Sequence, residues 1–460
     1  MTKLTTESDR SGQRNRLSNS ISALGARRRG PRLAVTAVAG VAALVVPLGM
    51  GGLQASASAL ATQAKSSARA ETNTLRRVSN SASTANLTAV PHPIAAATST
   101  SGLRSVAAWE TLFQGRAALD DSQVYSPLSK SSDSWDYYNL AFGLDAYTSM
   151  YLATGETAYL NKCLTYVNNV IARAKPSSSL GARAFGDSYL GWVSQRADVK
   201  GQEVPLFESF LWRYVTQMLW TIRQTPTLYN NPTYKNQYHR ILAFTERNIF
   251  DKWYTRGDGP GGGGGAGKPN MYRQNTNMAS HWAFISLLLS RMTSNTTRRS
   301  EAVTVYTDIN HHMPIYGSSL RQQFIKTAAA PAAYEWNSAW GPAGQYVGAP
   351  NVQDVPHGSG EVSYIVAPYG LGVEWTAADI TALCHTLTDV VWRKGGTYAA
   401  NVDGSGPGNG VIIDGFMKLG RYNAAIQQRL ENYTGAISDN YYAVIDFYAQ
   451  GALNARYLGA

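Results

Sequence analysis

The chain has 460 residues, of which 44% are hydrophobic and 15% charged, a composition typical of a globular protein with a large core. Its 27 tyrosines and 11 tryptophans exclude wholesale disorder, and its 42 glycines follow no three-residue period, which excludes collagen. The net charge of +11 is concentrated in the first 99 residues and leaves only +2 on residues 100–460. We therefore expect no nucleic-acid partner, whereas a local cationic cleft for an acidic sugar polymer stays compatible with the composition.

Residues 1–59 have the order of an export signal. A basic run at 27–32 precedes 18 uncharged residues at 33–50, and small residues follow at 55–59. We predict cleavage after this segment, secretion by the Sec or the twin-arginine route, and no stable membrane association once processed. A retained signal anchor is the alternative. Residues 60–102, rich in Ser, Thr and Ala, are predicted to form a flexible linker.

The chain has two cysteines, Cys163 and Cys384, and each lies beside a leucine on an apolar helical stripe. Buried free thiols are predicted, and a single long-range disulfide is the alternative that an exported protein allows. The sequence contains no CxxC or HxxxH spacing. Neither a metal site nor a cofactor is predicted.

From residue 103 onward, apolar residues recur at intervals of three and four, which predicts about a dozen amphipathic helices. Helices of similar length, joined by short turns, favour an all-α ring of helical hairpins. We predict an (α/α) toroid of six or seven hairpins that forms one catalytic domain over 103–460. A ring of this kind has an open end, where we expect a cleft between the longer loops, which are 177–207, 253–276, 327–356 and 394–410.

Two of these loops imitate ligand-binding motifs. Residues 262–268 fit the phosphate-loop pattern G-x-x-x-x-G-K, but Pro269 stands where the magnesium-binding Ser or Thr should be, and no strand precedes the loop. Residues 401–410 lack the spaced carboxylates of a calcium-binding loop. Both are predicted to be loop tips without a ligand.

A first polar constellation precedes an apolar helix. If that helix begins near Thr276, then Asn277 and His281 lie four residues apart on one face, with Arg273 and Asn275 in the loop just ahead. Packing alone does not explain an amide, an imidazole and a guanidinium at the mouth of an apolar helix. We predict a catalytic or binding site here, and a capped helix with a hydrogen-bonded histidine is the alternative.

A second constellation occupies the sequence DVPHGSGEVSYIV. Asp354 can cap a helix whose first turn contains Pro356, which places His357, Glu361 and Tyr364 along one stripe. A histidine, a carboxylate and a phenol along one face form a candidate proton-transfer array. The alternative is a surface stripe beside a capped turn.

Aromatic residues supply the third candidate group. Trp135 and Tyr138, together with Glu335 and Trp336, are predicted to bind substrate, because aromatic faces in a cleft stack on sugar rings. Ordinary core packing is the alternative. The remaining histidines of the helical region are predicted to be structural or solvent-facing: His239, His311, His312 and His385.

The hairpins from about 103 to 457, the Asn277 to His281 helix and the D-x-x-H-G-x-x-E-V helix at 354–362 resemble the (α/α)-toroid polysaccharide lyases, in the neighbourhood of alginate and glucuronan lyases. The resemblance implies an enzyme that cleaves a uronic-acid polymer by β-elimination without metal or cofactor. We expect a secreted monomer whose partner is an acidic polysaccharide.

The resemblance also implies roles for the first constellation. Asn277, Asn275 or Arg273 would hydrogen-bond the uronate carboxylate and stabilise the enolate-like charge that develops when the C5 proton leaves.

The same resemblance places the proton transfers on the imidazoles and the phenol. His281 is the predicted base and Tyr364 the predicted acid, or Tyr364 serves both roles when the eliminated groups are syn. His357 is either a second carboxylate-neutralising group or the alternative base, oriented by Glu361.

Other reactions are compatible with the same ring. A glycoside hydrolase needs two opposed carboxylates, and the candidates are Asp187, Glu208, Glu335, Asp354, Glu361 and Asp403. A uronyl C5-epimerase shares the first proton abstraction, and a non-catalytic glycan-binding protein could use the aromatic cleft alone.

Overall fold

The structure, a computed structural model, describes residues 102–257, 269–314, 316–328, 330–340, 351–392, 397–406, 412–433 and 443–460. The predicted export segment, the predicted linker up to residue 101 and the loop residues 262–268 and 407–410 lie outside these ranges. All the helices, strands and turns named for this chain lie within these ranges.

Helices make up most of the described chain. The first half contains α1 (Val106–Asp120), α2 (Ser126–Ser129), α3 (Ser134–Thr154), α4 (Thr157–Ala172), α5 (Pro205–Gln224), α6 (Pro226–Tyr229), α7 (Pro232–Thr245) and α8 (Lys252–Thr255). The second half contains α9 (Thr276–Met292), α10 (Thr296–His311), α11 (Leu320–Gln323), α12 (Val355–Gly370), α13 (Ala377–His385), α14 (Gly415–Lys418), α15 (Ala424–Glu431) and α16 (Val444–Leu458).

Shorter elements extend or connect these helices. Five-residue and six-residue π-helical turns continue α1, α7 and α13, over Asp121–Tyr125, Glu246–Asp251 and Thr386–Val391. Two 3-10 helices span Ser177–Ser179 and Leu419–Tyr422. Two antiparallel pairs of two-residue strands lie in the loops: β1 (Lys175–Pro176) with β2 (Leu190–Gly191), and β3 (Ile325–Lys326) with β4 (Tyr334–Glu335).

Local sequence signals set several helix starts as predicted. The side chain of Asp354 accepts a hydrogen bond from the backbone N–H of His357 and caps α12, whose first turn contains Pro356. Thr376 and Asp379 form a reciprocal capping box at the start of α13. Helix α9 begins at Thr276, as the polar-to-apolar change predicts.

The helices of the described residues form a closed ring of six hairpins. This confirms the predicted (α/α) toroid, and the number of hairpins among these residues is six rather than seven. The inner helices are α3, α5, α9, α12, α14 with the 3-10 turn that follows it, and α16, and each packs on the next until α16 returns to α3. The outer helices α4, α7, α10, α13, α15 and α1 each cover one inner helix. The ring is sealed where Gln450 Nε2 of α16 donates to Ser149 Oγ of α3 over 2.9 Å.

Glycines allow the closest approaches between the helices of the ring. A Cβ on Gly415, at the start of α14, would overlap the backbone of α12 at Ser359 and Ser363. A Cβ on Gly451 of α16 would come within 2.6 Å of the Trp109 ring of α1. These contacts leave no room for a side chain, because protein interiors are close-packed.

The two cysteines are buried free thiols, as predicted. Cys163 lies on α4 and Cys384 on α13, and burial raises the pKa of each thiol to about 12. In the part of the chain that the structure describes, no helix combines the length and the apolar character that crossing a membrane requires.

Replacing Gly415 with alanine tests the ring packing. Because the added methyl group meets backbone atoms of α12, Gly415→Ala should lower the free energy of unfolding by at least about 3 kcal/mol, at the upper end of overpacking effects. The matched control is Gly115→Ala on α1, where nothing lies within 4 Å of the added Cβ, and it should be neutral or stabilising. Denaturant unfolding measures both changes, and equal stability of the two variants would contradict the packing.

Candidate active site

The amino-terminal ends of four inner helices meet at one end of the ring. The Trp135 ring of α3 lies 5.0 Å from the Phe207 ring of α5, and the Phe210 ring of α5 lies 5.2 Å from the imidazole of His281 on α9. The start of α12 contacts the same imidazole at Gly360. The inner helices therefore run in one direction, and their positive dipole ends converge at this mouth.

An aromatic wall lines one side of the mouth. Trp135 and Tyr138 stack at 5.1 Å, Tyr138 stacks on Phe210 at 4.1 Å, and the guanidinium of Arg196 lies 4.7 Å above the Trp135 ring. Trp135 and Tyr138 are half-buried, so part of each ring stays accessible. Burial raises the pKa of Tyr138 to about 12, and no described residue hydrogen-bonds its hydroxyl.

Two unpartnered polar groups lie one turn apart on the inner face of α9. Asn277 is 6% exposed, and no hydrogen bond from a described residue reaches its side-chain amide. His281 is 1% exposed, and its Nε2 has no partner among the described residues. Since a buried polar atom without a partner is costly, His281 Nε2 marks a place where a ligand can supply the missing hydrogen bond, and the Asn277 amide lies one turn away on the same face.

The imidazole of His281 contacts a buried arginine. Its Nδ1 lies 3.3 Å from Nη1 of Arg213, a fully buried residue of α5. Burial, and then the charge of Arg213, lower the pKa of His281 well below its ordinary value. His281 is therefore neutral at physiological pH.

His357 has the opposite environment. Its Nδ1 lies 2.8 Å from Oδ2 of Asp354, and its side chain is 43% exposed. Burial of part of the ring opposes protonation, but the hydrogen bond and the charge of Asp354 raise the pKa of His357 above its ordinary value. The pKa of Asp354 is lowered by the same pairing. In the neutral form, Asp354 keeps the proton on Nδ1 and leaves the Nε2 lone pair available.

The pairing has a defined pH dependence. Because the pKa of His357 is raised on folding, its contribution to stability is complete below about pH 6.5 and is lost as the pH rises through the folded-state pKa. Because the pKa of Asp354 is lowered, its contribution is complete above about pH 4 and is lost on acidification.

A buried charge cluster supports the site. Asp414 accepts hydrogen bonds from Arg213 Nη2 and the Tyr214 hydroxyl, each at 2.5 Å, and lies 3.2 Å from Lys418 Nζ. Burial opposes ionisation, yet the charges of Arg213 and Lys418 lower the pKa of Asp414. Asp414 also has a positive φ of 50°. In a non-glycine residue this conformation costs about 1 to 3 kcal/mol, and it persists only when contacts with the surrounding structure stabilise it.

Glu361 does not orient His357, contrary to the prediction, because Asp354 has that position. Glu361 is fully buried, accepts a hydrogen bond from Trp336 Nε1 at 2.5 Å, and has its pKa raised to about 8 by burial. Trp336 is itself fully buried and stacks on Phe324 at 4.5 Å, so it has no free face for a sugar.

Tyr364 does not join Asn277 and His281. Its hydroxyl donates to Oδ1 of Asn310 on the outer helix α10 over 2.8 Å, and the residue is fully buried. The inward-facing stripe of α12 contains Gly360 and Ser363 instead, since both contact the central cluster. The predicted polar stripe lies on the flank of α12, which corrects the assignment of Tyr364 as the acid.

The loop before α9 uses its polar residues for local structure. Asn275 Nδ2 donates to the Ser338 carbonyl over 3.3 Å, and Arg273 Nη1 donates to Asn270 Oδ1 over 2.6 Å. Burial lowers the pKa of Arg273 to about 10. Glu335 is half-buried in β4, opposite Ile325.

The remaining histidines lie away from the mouth. His311 pairs with Glu374 at 2.7 Å, His385 pairs with Asp389 at 2.7 Å, and His239 and His312 are exposed. No group of three or more His, Cys, Asp or Glu side chains among the described residues could hold a metal ion.

Sequence reasoning missed Arg213, Tyr214 and Asp414. Arg213 and Asp414 are 201 residues apart, so their contact is invisible along the chain. One signal did exist: each is a charged residue inside an apolar run, FLWRYV and VIIDGFM respectively. A charge in such a position has to be paired once it is buried.

No protein-family model and no curated protein matches the chain. Among solved structures, the chain is similar to an inactive variant of an alpha-1,6-mannanase of a Salegentibacter species, in complex with alpha-1,6-mannotetrose. The TM-score is 0.37 and the sequence identity is 11%, and the match covers 76% of this chain and 99% of that chain. It is also similar to a polysaccharide lyase, with a TM-score of 0.30 and 11% identity over 77% and 98% of the two chains.

A glycosyl hydrolase of family 88 from Bacteroides vulgatus is a further similar structure, with a TM-score of 0.29 and 10% identity over 77% of this chain and 100% of that chain. At such identities the chemistry has to be argued from this chain's own residues.

Asp354→Asn tests the histidine environment. Asparagine caps a helix as well as aspartate, so α12 should persist while the charge on His357 disappears. The pKa of His357, followed by NMR of its ring protons, should fall from above to below about 6.5, because burial then acts alone. An unchanged pKa of His357 would refute the pairing.

Proposed function

We propose that the protein cleaves a uronic-acid polymer by β-elimination at the mouth of the ring. The observation that carries this proposal is the buried, unpartnered Nε2 of His281, one turn from the Asn277 amide on α9, together with the accessible imidazole of His357. The charge of His357 contributes to the lowered pKa of His281, so the two imidazoles share one electrostatic environment.

Neutralising the substrate carboxylate is the first requirement of the reaction. The proton at C5 of a uronate is weakly acidic until the neighbouring carboxylate is hydrogen-bonded. Removal of the C5 proton adds negative charge to that carboxylate, and hydrogen-bond donors stabilise the added charge. The Asn277 amide can donate to one carboxylate oxygen and the buried imidazole of His281 to the other. Both groups are fixed on a buried helix, so little reorganisation accompanies the reaction.

His357 is the base in this proposal, whereas His281 was the base first predicted from the sequence. A base near the mouth must be accessible and must have a pKa near the working pH. His357 meets both conditions, because its side chain is 43% exposed and Asp354 raises its pKa. His281 meets neither, because burial and Arg213 lower its pKa.

Tyr138 is the acid that replaces Tyr364. Its pKa of about 12 keeps the phenol protonated at neutral pH, and the charge of Asp354 contributes to that raised value, which supports proximity to the His357 pair. His357 Nε2 takes the C5 proton, the C5–H electrons form the C4–C5 double bond, the C4–O4 bond breaks, and the Tyr138 hydroxyl protonates the leaving O4.

The mouth favours an acidic sugar polymer. The accessible rings of Trp135 and Tyr138 suit the apolar faces of sugars, while the converging helix amino termini favour negative charge. An exported monomer acting on a polymer outside the cell is consistent with the predicted signal at residues 1–59.

One observation favours a second candidate, glycoside hydrolysis. Glu361 has a pKa of about 8 and therefore keeps its proton at neutral pH, as the general acid of a glycosidase must, while Asp354 on the same helix is ionised. Two observations argue against this candidate. Glu361 is fully buried, and the carboxylate of Asp354 is already hydrogen-bonded to His357.

Incubation with a panel of polymers separates these reactions. We expect the chain to generate the ultraviolet absorbance of an unsaturated uronate from glucuronan, alginate or a glycosaminoglycan. Reducing ends without that absorbance would replace elimination by hydrolysis, inverted C5 without cleavage would indicate an epimerase, and binding without reaction would indicate a glycan-binding protein.

Substitutions at the mouth test the assigned roles. Asn277→Ala, His357→Ala and Tyr138→Phe should each lower turnover by at least about a hundredfold, the usual scale for losing an acid, a base or a preorganised donor. Tyr364→Phe is the control, since it removes only a hydroxyl that bonds Asn310 on α10, and turnover should stay within about twofold. Retention of activity by His357→Ala would remove that residue from the mechanism.

A further inference from the structure

Arg213 connects the reacting end of the ring to the buried charge cluster. Its Nη1 lies 3.3 Å from His281 Nδ1 and donates to the Gly360 carbonyl over 3.2 Å, and its Nη2 donates to the Tyr214 hydroxyl over 2.8 Å and to Asp414 over 2.5 Å. Its guanidinium also lies 4.2 Å from the Phe210 ring of the aromatic wall. The side chain is fully buried, so these contacts fix its orientation.

The contact with His281 has only one chemically consistent form. A guanidinium carries donors and no acceptor, so Nδ1 of His281 has to accept the hydrogen bond. In a neutral imidazole an accepting Nδ1 requires the proton on Nε2. Protonation of the ring would place an N–H against the N–H groups of Arg213.

Neighbouring groups on the other side of the imidazole restrict its movement. A Cβ at Gly360 of α12 would lie 3.1 Å from His281 Cε1 and 3.3 Å from Arg213 Nη1, so glycine lets the imidazole and the guanidinium approach the backbone of α12. The Phe210 ring meets the imidazole edge to face. The ring therefore has a fixed plane, and its Nε2 has a fixed direction.

We propose that Arg213 is a positioning residue that fixes His281 as the Nε2–H tautomer, so that only a hydrogen-bond acceptor, such as a carboxylate oxygen of the substrate, can bind at Nε2. This inference rests on the proposed function for the identity of that acceptor. The two site histidines then have complementary roles, because Asp354 leaves the Nε2 of His357 as an acceptor and Arg213 leaves the Nε2 of His281 as a donor.

Asp414 holds the positioning residue in place. It accepts hydrogen bonds from Arg213 and from the Tyr214 hydroxyl and forms an ion pair with Lys418. The charged and titratable groups that face the His281 environment are Arg213 and Tyr214 from α5, His357 from α12, and Asp414 before α14.

Nitrogen NMR of the full chain labelled at histidine tests the tautomer directly. We expect His281, assigned by the loss of its signals in His281→Gln, to show an unprotonated Nδ1 and a protonated Nε2 on both sides of the ordinary histidine pKa of about 6.5. A protonated Nδ1 in the unmodified protein, or titration of the ring near that pH, would overturn the inference. This readout needs no turnover, so it is independent of whether the polymer is cleaved.

Arg213→Met supplies the matched perturbation. Without the guanidinium donors, His281 should populate both tautomers and titrate closer to its ordinary pKa, whereas Arg298→Met, which removes the arginine paired with Asp251, should leave the His281 signals unchanged. An exclusive Nε2–H tautomer in folded Arg213→Met would contradict the role of Arg213. If Arg213→Met does not fold, the spectrum of the unmodified protein decides the question.

Discussion

The ring depends on a cluster of charges buried along its axis. Asp414 is bound by Arg213, Tyr214 and Lys418, and Lys418 Nζ reaches across the ring to Asp145 of α3 over 2.7 Å. The cations Arg213 and Lys418 and the carboxylates Asp414 and Asp145 are costly to desolvate, and their pairing offsets that cost. Burial and the nearby Asp145 raise the pKa of a third buried carboxyl, that of Asp446, well above its ordinary value. Since the partners come from different inner helices, pairing them aligns the helices with one another.

This cluster also explains why the site can be preorganised. Arg213 donates a hydrogen bond to Asp414 and also contacts Nδ1 of His281. Asn277 lies on α9 with His281, one turn closer to the mouth. The unpartnered Nε2 of His281 therefore belongs to a side chain whose rotation is already restricted. Helix dipoles add a positive potential at the open end, where the aromatic wall is accessible.

The helices and their starts could be predicted from the sequence because their signals are local. Apolar intervals of three and four indicate the helices, and the Asp354 and Thr376 caps indicate two of their first residues. Asn277 and His281 were identifiable for the same reason, since an amide and an imidazole on one face of an apolar helix form a local anomaly. Cys163 and Cys384 were recognisable as core thiols from their apolar neighbours.

The partners across the ring could not be predicted, because they depend on the rotation of each helix about its axis. On α12, the stripe of His357, Glu361 and Tyr364 is regular, yet the stripe that faces the ring axis contains Gly360 and Ser363. Small residues mark the inward face because neighbouring side chains occupy that space. The same limit hid Arg213 and Asp414, whose pairing joins distant parts of the chain.

Cleavage in water enriched in heavy oxygen distinguishes elimination from hydrolysis. Elimination redistributes the atoms of the polymer without consuming water, so we expect each new reducing end to be matched by an unsaturated uronate. When the reducing ends are reduced with borohydride before their anomeric oxygen exchanges with water, they should contain no solvent oxygen. Heavy oxygen at reducing ends trapped in this way would show that water attacks the glycosidic bond, and it would contradict β-elimination by Asn277, His281, His357 and Tyr138.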